Sequence, residues 1–323
     1  MGDGVINDTR EVVGRLAPTP SGRMHLGNAL SALVAWLSAR SSGGSMVLRI
    51  EDLDPRARDP EAASLIMGDL AWLGLDWDEG PYFQSERGDL YTGAIARLRE
   101  QGLTYPCFCT RSELHAATAP HASDGTYVYQ GTCRNLTPEE IEERSAGRPP
   151  ATRLRLPDAD DPSAVIRFTD LAYGPRRENI ATECGDFLVR RSDGVVAYQL
   201  AVVVDDALMG VTQVVRGHDL LGSVARQMHL QRLLGFPTPA YGHVPLLVAP
   251  DGRRLSKRDR DLDLGTVRNM VRGPEVVVGR LASAIGLAEE GEELRADELV
   301  PRFSWDALRN LPDSIVIGGD FLA

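Results

Sequence analysis

Leu26, Leu30, Leu33, Val34 and Leu37 recur at three- and four-residue steps through HLGNALSALVAWLSAR, and this spacing predicts a helix that stops at the Ser-Gly run 41–45. Before it, VVGRLAP (12–18) reads as a strand ending in the turn-rich PTPSG; after it, MVLRIED reads as a second strand. Strand, loop, helix and strand in immediate succession make a βαβ unit, which implies a parallel sheet with ligands outside the carboxyl ends of its strands. That rule places the Thr19–Gly22 loop, His25, Glu51 and Asp52 at the expected crevice.

Residues 59–75 and 86–102 predict two amphipathic helices, each ending at a glycine-containing turn. Between about 105 and 190 the regularity fails: this stretch holds a cysteine cluster, the pair Pro149-Pro150, the acidic run DADD and short strand-like pieces such as VIRFTD and DFLVRR. It reads as an insertion. After the turn Ser192-Asp193-Gly194 the sheet resumes, with a strand in VTQVVRG and a helix through LLGSVARQMHLQRLLG. VPLLVAPDGRRL predicts a hairpin around Asp251-Gly252, and the last 65 or so residues read as mainly helical and acidic. The expectation is an α/β chain in four parts: 1–105 and 191–250 as two halves of one sheet domain, 106–190 as the insertion, and 251–323 as a loop with a helical C-terminal region.

Composition narrows the picture. With 43% hydrophobic residues in 323, the chain can bury an ordinary core. It has neither a long apolar run nor a basic-then-apolar leader, so no membrane span or secretory signal is expected, and a cytoplasmic monomer is. Cys107, Cys109 and Cys133 cluster while Cys184 stands apart, a pattern that suits reduced thiols or a metal better than a disulfide framework. A net charge of -11 argues against coating nucleic acid, so any RNA contact must be local. Of the 35 basic residues only Lys257 is a lysine. A chain that writes every other cation as arginine has kept one flexible ammonium there.

Two distant segments carry the chemistry: Pro18-Thr19-Pro20-Ser21-Gly22-Arg23-Met24-His25-Leu26-Gly27-Asn28 and Arg254-Leu255-Ser256-Lys257-Arg258. They resemble the HIGH and KMSKS motifs of class I aminoacyl-tRNA synthetases. Together with RIEDLD, YQLAVVVDD and VVRGHDLL, they resemble the glutamate-specific branch from about residue 13 to 260. Asn28 stands where the first motif has its second histidine, and Arg254 and Arg258 replace the first lysine and last serine of the other. The resemblance implies a Rossmann-type parallel sheet with a zinc-bearing insertion and a short helical C-terminal region. It also implies ATP with Mg²⁺, and L-glutamate, as ligands.

Activating a carboxylate on ATP builds negative charge on the α-phosphate and the departing pyrophosphate, so donors must point where that charge develops. His25, at a helix start beside Gly27, and the mobile Lys257 suit this task; taken alone, one is equally a helix cap and the other a solvated basic turn. The resemblance assigns ATP to Pro18, His25, Gly27, Asn28 and Lys257, and glutamate to Arg15, Leu16, Ala17, Pro18, Thr19, Glu51, Tyr198 and Arg216. An arginine can hold a carboxylate with a bidentate fork and Glu51 can pair with an ammonium, although Arg15 and Arg216 also suit strand-end salt bridges and Tyr198 a half-buried core position.

In the cysteine cluster, Cys107-x-Cys109 and Tyr129-x-x-x-Cys133, three thiolates lack one ligand for tetrahedral zinc. By resemblance Tyr129 supplies it; by chemistry alone His115 or His121 is the better donor, and three buried thiols without metal is the plain alternative. The short stretch after Arg258 leaves no room for a large anticodon-binding region, so the resemblance is closest to a short paralogue in the branch. That paralogue activates glutamate without tRNA and esterifies it to queuosine in the anticodon of tRNA(Asp). The alternatives are a truncated enzyme charging the tRNA 3′ end, a non-catalytic nucleotide-binding paralogue, or a nucleotidyltransferase with another substrate.

Overall fold

The computed structural model describes residues 11–55, 58–110, 113, 128–253, 263–318 and 321–322. The predicted βαβ unit is present as β1 (Val13–Leu16), α1 (Leu26–Ser41) and β2 (Ser45–Ile50), with β1 and β2 parallel. α2 (Pro60–Trp72) leads to β3 (Glu79–Phe83), which adds to the far side of β2, also in parallel. α2 begins where sequence chemistry says it should: Asp59 accepts from the amides of Glu61 and Ala62, and Pro60 stands in the first turn.

α1 is buried on nearly every side, from Leu26 through Trp36 to Ala39. A helix apolar all round must be covered on both faces. Here one face packs on β1 and β9 (Gln213–Gly217), and the other meets the C-terminal helices, including α9 (Pro274–Ala284) and α10 (Ala296–Leu299). Trp305 wedges in as well, its indole donating to Ser38 Oγ at 3.0 Å. Its ring lies so close to Gly242 that a Cβ there would sit 2.3 Å away, so the residue must be glycine.

The second half of the sheet has the order β9–β10–β6–β7, with β10 (Ala240–Val244), β6 (Val165–Asp170) and β7 (Gly174–Asn179). β1 lies beside β9: Thr212 N donates to Val13 O at 3.0 Å and Arg15 Nη1 to Val215 O at 2.7 Å. Strand order therefore runs outward in opposite directions from β1 and β9, and such a reversal opens a crevice at the carboxyl ends. α6 (Tyr198–Leu208) and α7 (Val224–Leu234) flank this half and share a second core with α3 (Gly88–Glu100).

One expectation is corrected. The span 106–190 is not one insertion: β6 and β7 belong to the main sheet, with Asp170 aligned to Tyr241 of β10. β6 alternates buried Ile166 and Asp170 with exposed Arg167 and Thr169, as a half-covered strand does, but its partner lies far along the chain and only β7 is local. The part that stands outside is a three-stranded antiparallel sheet of β4 (Thr104–Cys107), β5 (Ala151–Leu154) and β8 (Phe187–Arg190), with α4 (Pro138–Gly147). The short α5 (Ile180–Glu183) carries the chain from β7 back to β8. The turn expected around Asp251-Gly252 is present, with Gly252 at φ 78° and Ala249 N donating to Arg253 O at 2.8 Å. The second arm of the expected hairpin, beyond Arg253, lies outside the described residues; β11 (Leu246–Val248) pairs in parallel with β12 (Ser314–Val316). No described helix is long and apolar enough to cross a membrane.

Candidate active site

A cleft of about 570 Å³ opens at the β1/β9 reversal. Its walls include Arg15 to Thr19, His25, Gly27, Asn28, Glu51, Tyr198 and Arg216, every described residue that the sequence nominates for ATP or glutamate. The loops after β1 and β2 are tied together there by Glu51 N donating to Pro18 O at 2.9 Å. Lys257, Arg254, Arg258, His115 and His121 lie outside the described residues.

His25 is the N-cap of α1. Its Nδ1 accepts from Gly27 N at 3.1 Å and Asn28 N at 3.3 Å, while Asn28 Oδ1 accepts from His25 N at 3.4 Å. A ring nitrogen that accepts two amides carries no proton, so the neutral imidazole holds its proton on Nε2. The cap and donor readings are therefore compatible: one nitrogen finishes the helix while the other offers N–H. Gly27 allows this, because a Cβ there would approach the imidazole to 3.1 Å.

Charge is unevenly shared among the buried arginines and carboxylates in and next to the cleft. Arg49, fully buried, meets Asp206 at 2.7 Å, Glu51 at 3.1 Å and Asp205 at 3.8 Å. Burial works against its charge, but the three carboxylates more than offset that and raise its pKa. Arg15 is less well served: Asp206 stands 3.8 Å from its Nε, which is buried without a hydrogen-bond acceptor. Burial lowers the pKa of Arg15; Asp206 opposes this, and the like charges of Arg49 and Arg216 add to it. Among the described residues the hydrogen-bond acceptors of Arg216 are neutral: Nε donates to His243 Nε2 at 3.1 Å, Nη1 to Gln227 Oε1 at 2.9 Å and Nη2 to Leu220 O at 3.0 Å. Two buried guanidiniums, one with Asp206 at 3.8 Å and the other with no carboxylate partner among the described residues, thus face a cavity, and such an arrangement favours an anion. Glu51 supplies the complement: burial pushes its carboxyl up, against the pull of Arg49 and Arg15.

Asp69 fixes the rim. Buried within α2, it accepts from Arg23 Nη2 at 2.6 Å and pairs with Arg268 Nη2 at 3.2 Å, which locks the loop before His25 to α2 and α8 (Leu264–Met270). Leu264 N donates to Met24 O at 2.8 Å, and Asp263 forms an antiparallel bridge with His25.

The cysteine cluster lies apart from the cleft, on β4 and the segment beyond it. The sulfurs of Cys107, Cys109 and Cys133 fall within 4.8 Å of one another, with Cys109 and Cys133 at 3.6 Å. Tyr129 Oη stands 3.7 Å from Cys107 and 3.6 Å from Cys109. Tetrahedral zinc with bonds of about 2.3 Å to sulfur needs sulfurs roughly 3.8 Å apart, so the donor set fits that ion. Burial alone would push the Cys107 thiol up, but the Arg153 guanidinium, donating from Nε at 3.1 Å, brings it below its ordinary value. Cys184, buried in the second core, takes no part.

The family model for the catalytic domain of class I tRNA synthetases for E and Q matches residues 11–314. The chain belongs to this family. It is 53% identical over 302 residues to a glutamyl-Q tRNA(Asp) synthetase of Symbiobacterium thermophilum, covering 90% of this chain and 91% of that one. A protein of the same name from Nocardia farcinica is 48% identical, with 90% and 92% covered. Among solved structures, a glutamate tRNA ligase of Elizabethkingia meningosepticum in complex with its amino acid superposes with a TM-score of 0.80 at 27% identity, covering 97% of this chain and 68% of that one.

Membership makes the protein a ligase-type enzyme with a class I synthetase fold and a tRNA-related role. The cleft also holds residues that sequence reasoning misses. Gly217 at the end of β9, Asp219 and Leu220 just past it, and Leu246 and Leu247 of β11 line it too. A signal for them exists: they follow the strand at the sheet's reversal, where a synthetase of this architecture places its ligand. VVRGHDLL marks that segment, yet read as sequence it yields only Arg216.

Proposed function

We propose that the enzyme joins L-glutamate to ATP without tRNA and then transfers the glutamyl group to queuosine in the anticodon of tRNA(Asp). The carrying observation is one cleft lined both by the imidazole that caps α1 and by the guanidiniums of Arg15 and Arg216. A glutamate carboxylate oxygen attacks the α-phosphorus of ATP in line, pyrophosphate leaves, and glutamyl-adenylate forms. A hydroxyl oxygen of the modified nucleoside then attacks the acyl carbon, loses its proton and releases AMP.

His25 stabilises charge on the phosphates through Nε2–H, assisted by the amino terminus of α1 and by Lys257. Arg15 and Arg216 receive the substrate's carboxylates, and Glu51 faces its ammonium. Mg²⁺ supplies charge neutralisation on the phosphates when bound with ATP. Zn²⁺ held by Cys107, Cys109, Cys133 and Tyr129 has a structural role, since none of the four lines the cleft. Coverage of nine tenths of the glutamyl-Q tRNA(Asp) synthetases it resembles favours the anticodon as acceptor. The test is to incubate the enzyme with labelled glutamate, ATP and total tRNA and to map the label by nuclease digestion. Label in the anticodon loop of tRNA(Asp) is expected; label at a 3′ end would replace this reading with ordinary charging.

A further inference from the structure

Arg216 is 5% exposed, and no carboxylate of the described residues forms an ion pair with it. Its three hydrogen bonds to neutral acceptors fix the plane of the guanidinium and leave its charge for a ligand. The bond from Nε is the demanding one. His243 Nε2 can accept it only when unprotonated, so the ring proton must sit on Nδ1. Asp170 Oδ2 stands 2.6 Å from that nitrogen.

Asp170 is itself immobile. It is 1% exposed, and its Oδ1 accepts from Ala172 N and Tyr173 N at 3.0 Å each and from His243 N at 3.4 Å. The carboxylate therefore stays aimed at the imidazole. A protonated His243 would set N–H against N–H and a second cation beside Arg216; burial opposes that form and holds the imidazole down at about 4. The chain Asp170–His243–Arg216 runs from β6 through β10 to the end of β9, joining an inner strand of the main sheet to the cleft.

We propose that Asp170 and His243 are positioning residues: the carboxylate sets the tautomer of a buried imidazole, which locks the Arg216 fork in the plane that receives the substrate carboxylate and thereby favours glutamate over glutamine. The inference rests on the reading of Arg216 as a glutamate contact. A fixed fork recognises two carboxylate oxygens, whereas an amide offers one oxygen and a misplaced pair of N–H groups. If the fork loosens, binding weakens and the advantage of the acid over the amide shrinks.

Asp170→Asn isolates the effect. Its amide oxygen can keep the backbone amides, while its NH₂ faces His243 Nδ1 and drives the imidazole proton to Nε2, against Arg216. In ATP–pyrophosphate exchange, KM for glutamate is expected to rise by about tenfold to a hundredfold, the range for loss of a charge-assisted contact. KM for ATP should stay within about twofold, and the preference for glutamate over glutamine should fall in parallel. Nitrogen NMR should show His243 as the neutral Nδ1–H tautomer in the native enzyme and as Nε2–H in the variant. His243→Gln, whose amide can accept from Arg216 and donate to Asp170, should recover most of what His243→Leu loses. If Asp170→Asn fails to fold, the native tautomer and this pair of variants decide. A native Nε2–H or charged imidazole, or an unmoved glutamate KM in folded Asp170→Asn, would overturn the inference provided Arg216→Lys is impaired. If Arg216→Lys binds glutamate normally, the pocket assignment of Arg216 falls first and takes the inference with it.

Discussion

Asp263 bridges to the backbone of His25, so the chain that leaves the described structure after Arg253 re-enters it against the residue that caps α1. Asp263, five residues beyond the second motif, thus stands against the first motif. Leu264 N, bonded to Met24 O, repeats the link one residue on.

The divided use of the His25 ring predicts a divided mutational effect. His25→Asn keeps a side-chain acceptor for the first amides of α1, so stability should stay within about 0.5 kcal/mol while exchange falls about 10²- to 10³-fold. His25→Ala should lose the same activity and about 1 kcal/mol of stability besides. Urea titrations beside exchange assays check both; equal stability loss in the two variants would contradict the cap.

Lys257→Ala should lower ATP–pyrophosphate exchange by roughly two to three orders of magnitude, the scale of one lost transition-state donor, with the melting temperature unchanged. Lys257→Arg tests why one ammonium stands among arginines: a planar fork is a poor substitute for a compact point charge, and the variant should stay well below native activity. Native-like exchange in Lys257→Ala would remove the residue from the mechanism.

Removing the metal should separate stability from chemistry. One zinc per chain is expected by metal analysis, and chelation or Cys133→Ser should lower the melting temperature by several degrees, since a structural ion contributes to folding directly. KM for glutamate in the surviving folded enzyme should change less than about twofold, because the cluster lies outside the cleft. A metal-free native protein with the same melting temperature would leave the thiols as plain core.

His229, buried on α7, is held down to about 4 by its burial and, secondarily, by the charge of Arg232. Below its ordinary value of 6.5 the unfolded chain binds a proton that the folded chain refuses. Its contribution is complete above about pH 6.5 and is lost as pH falls toward 4, on the order of 3 kcal/mol in all. Comparing the native protein with His229→Gln cancels the background of a strongly acidic chain. The variant's stability should fall less steeply between pH 6.5 and 4.5; parallel slopes would mean that the imidazole is not buried neutral.

The first half of the fold was legible because its signals are local. β1, α1 and β2 each announce themselves by period and by the glycine or proline that ends them, and His25 follows from the crevice rule. The cysteine cluster was legible from spacing. β6 was not, because its partner β10 lies beyond α6 and β9, and no local pattern distinguishes a strand of the main sheet from one in an insertion. Asp69 reads as an ordinary helix-surface acid; only the approach of Arg23 and Arg268 from distant segments explains its burial. The state of Arg216 was least legible: the sequence supplies a cation, but its neutral partners come from β10, α7 and the loop after β9.

The pairing of β11 with β12 has a consequence for biosynthesis. Leu246 and Leu247 wall the cleft, yet their strand partner is the segment Ser314–Val316, made long after them. On the ribosome the βαβ unit can condense early, whereas this wall waits until residues 314–316 have emerged. A chain made only as far as β11 therefore carries His25 and Arg216 while Leu246 and Leu247 still lack their strand partner.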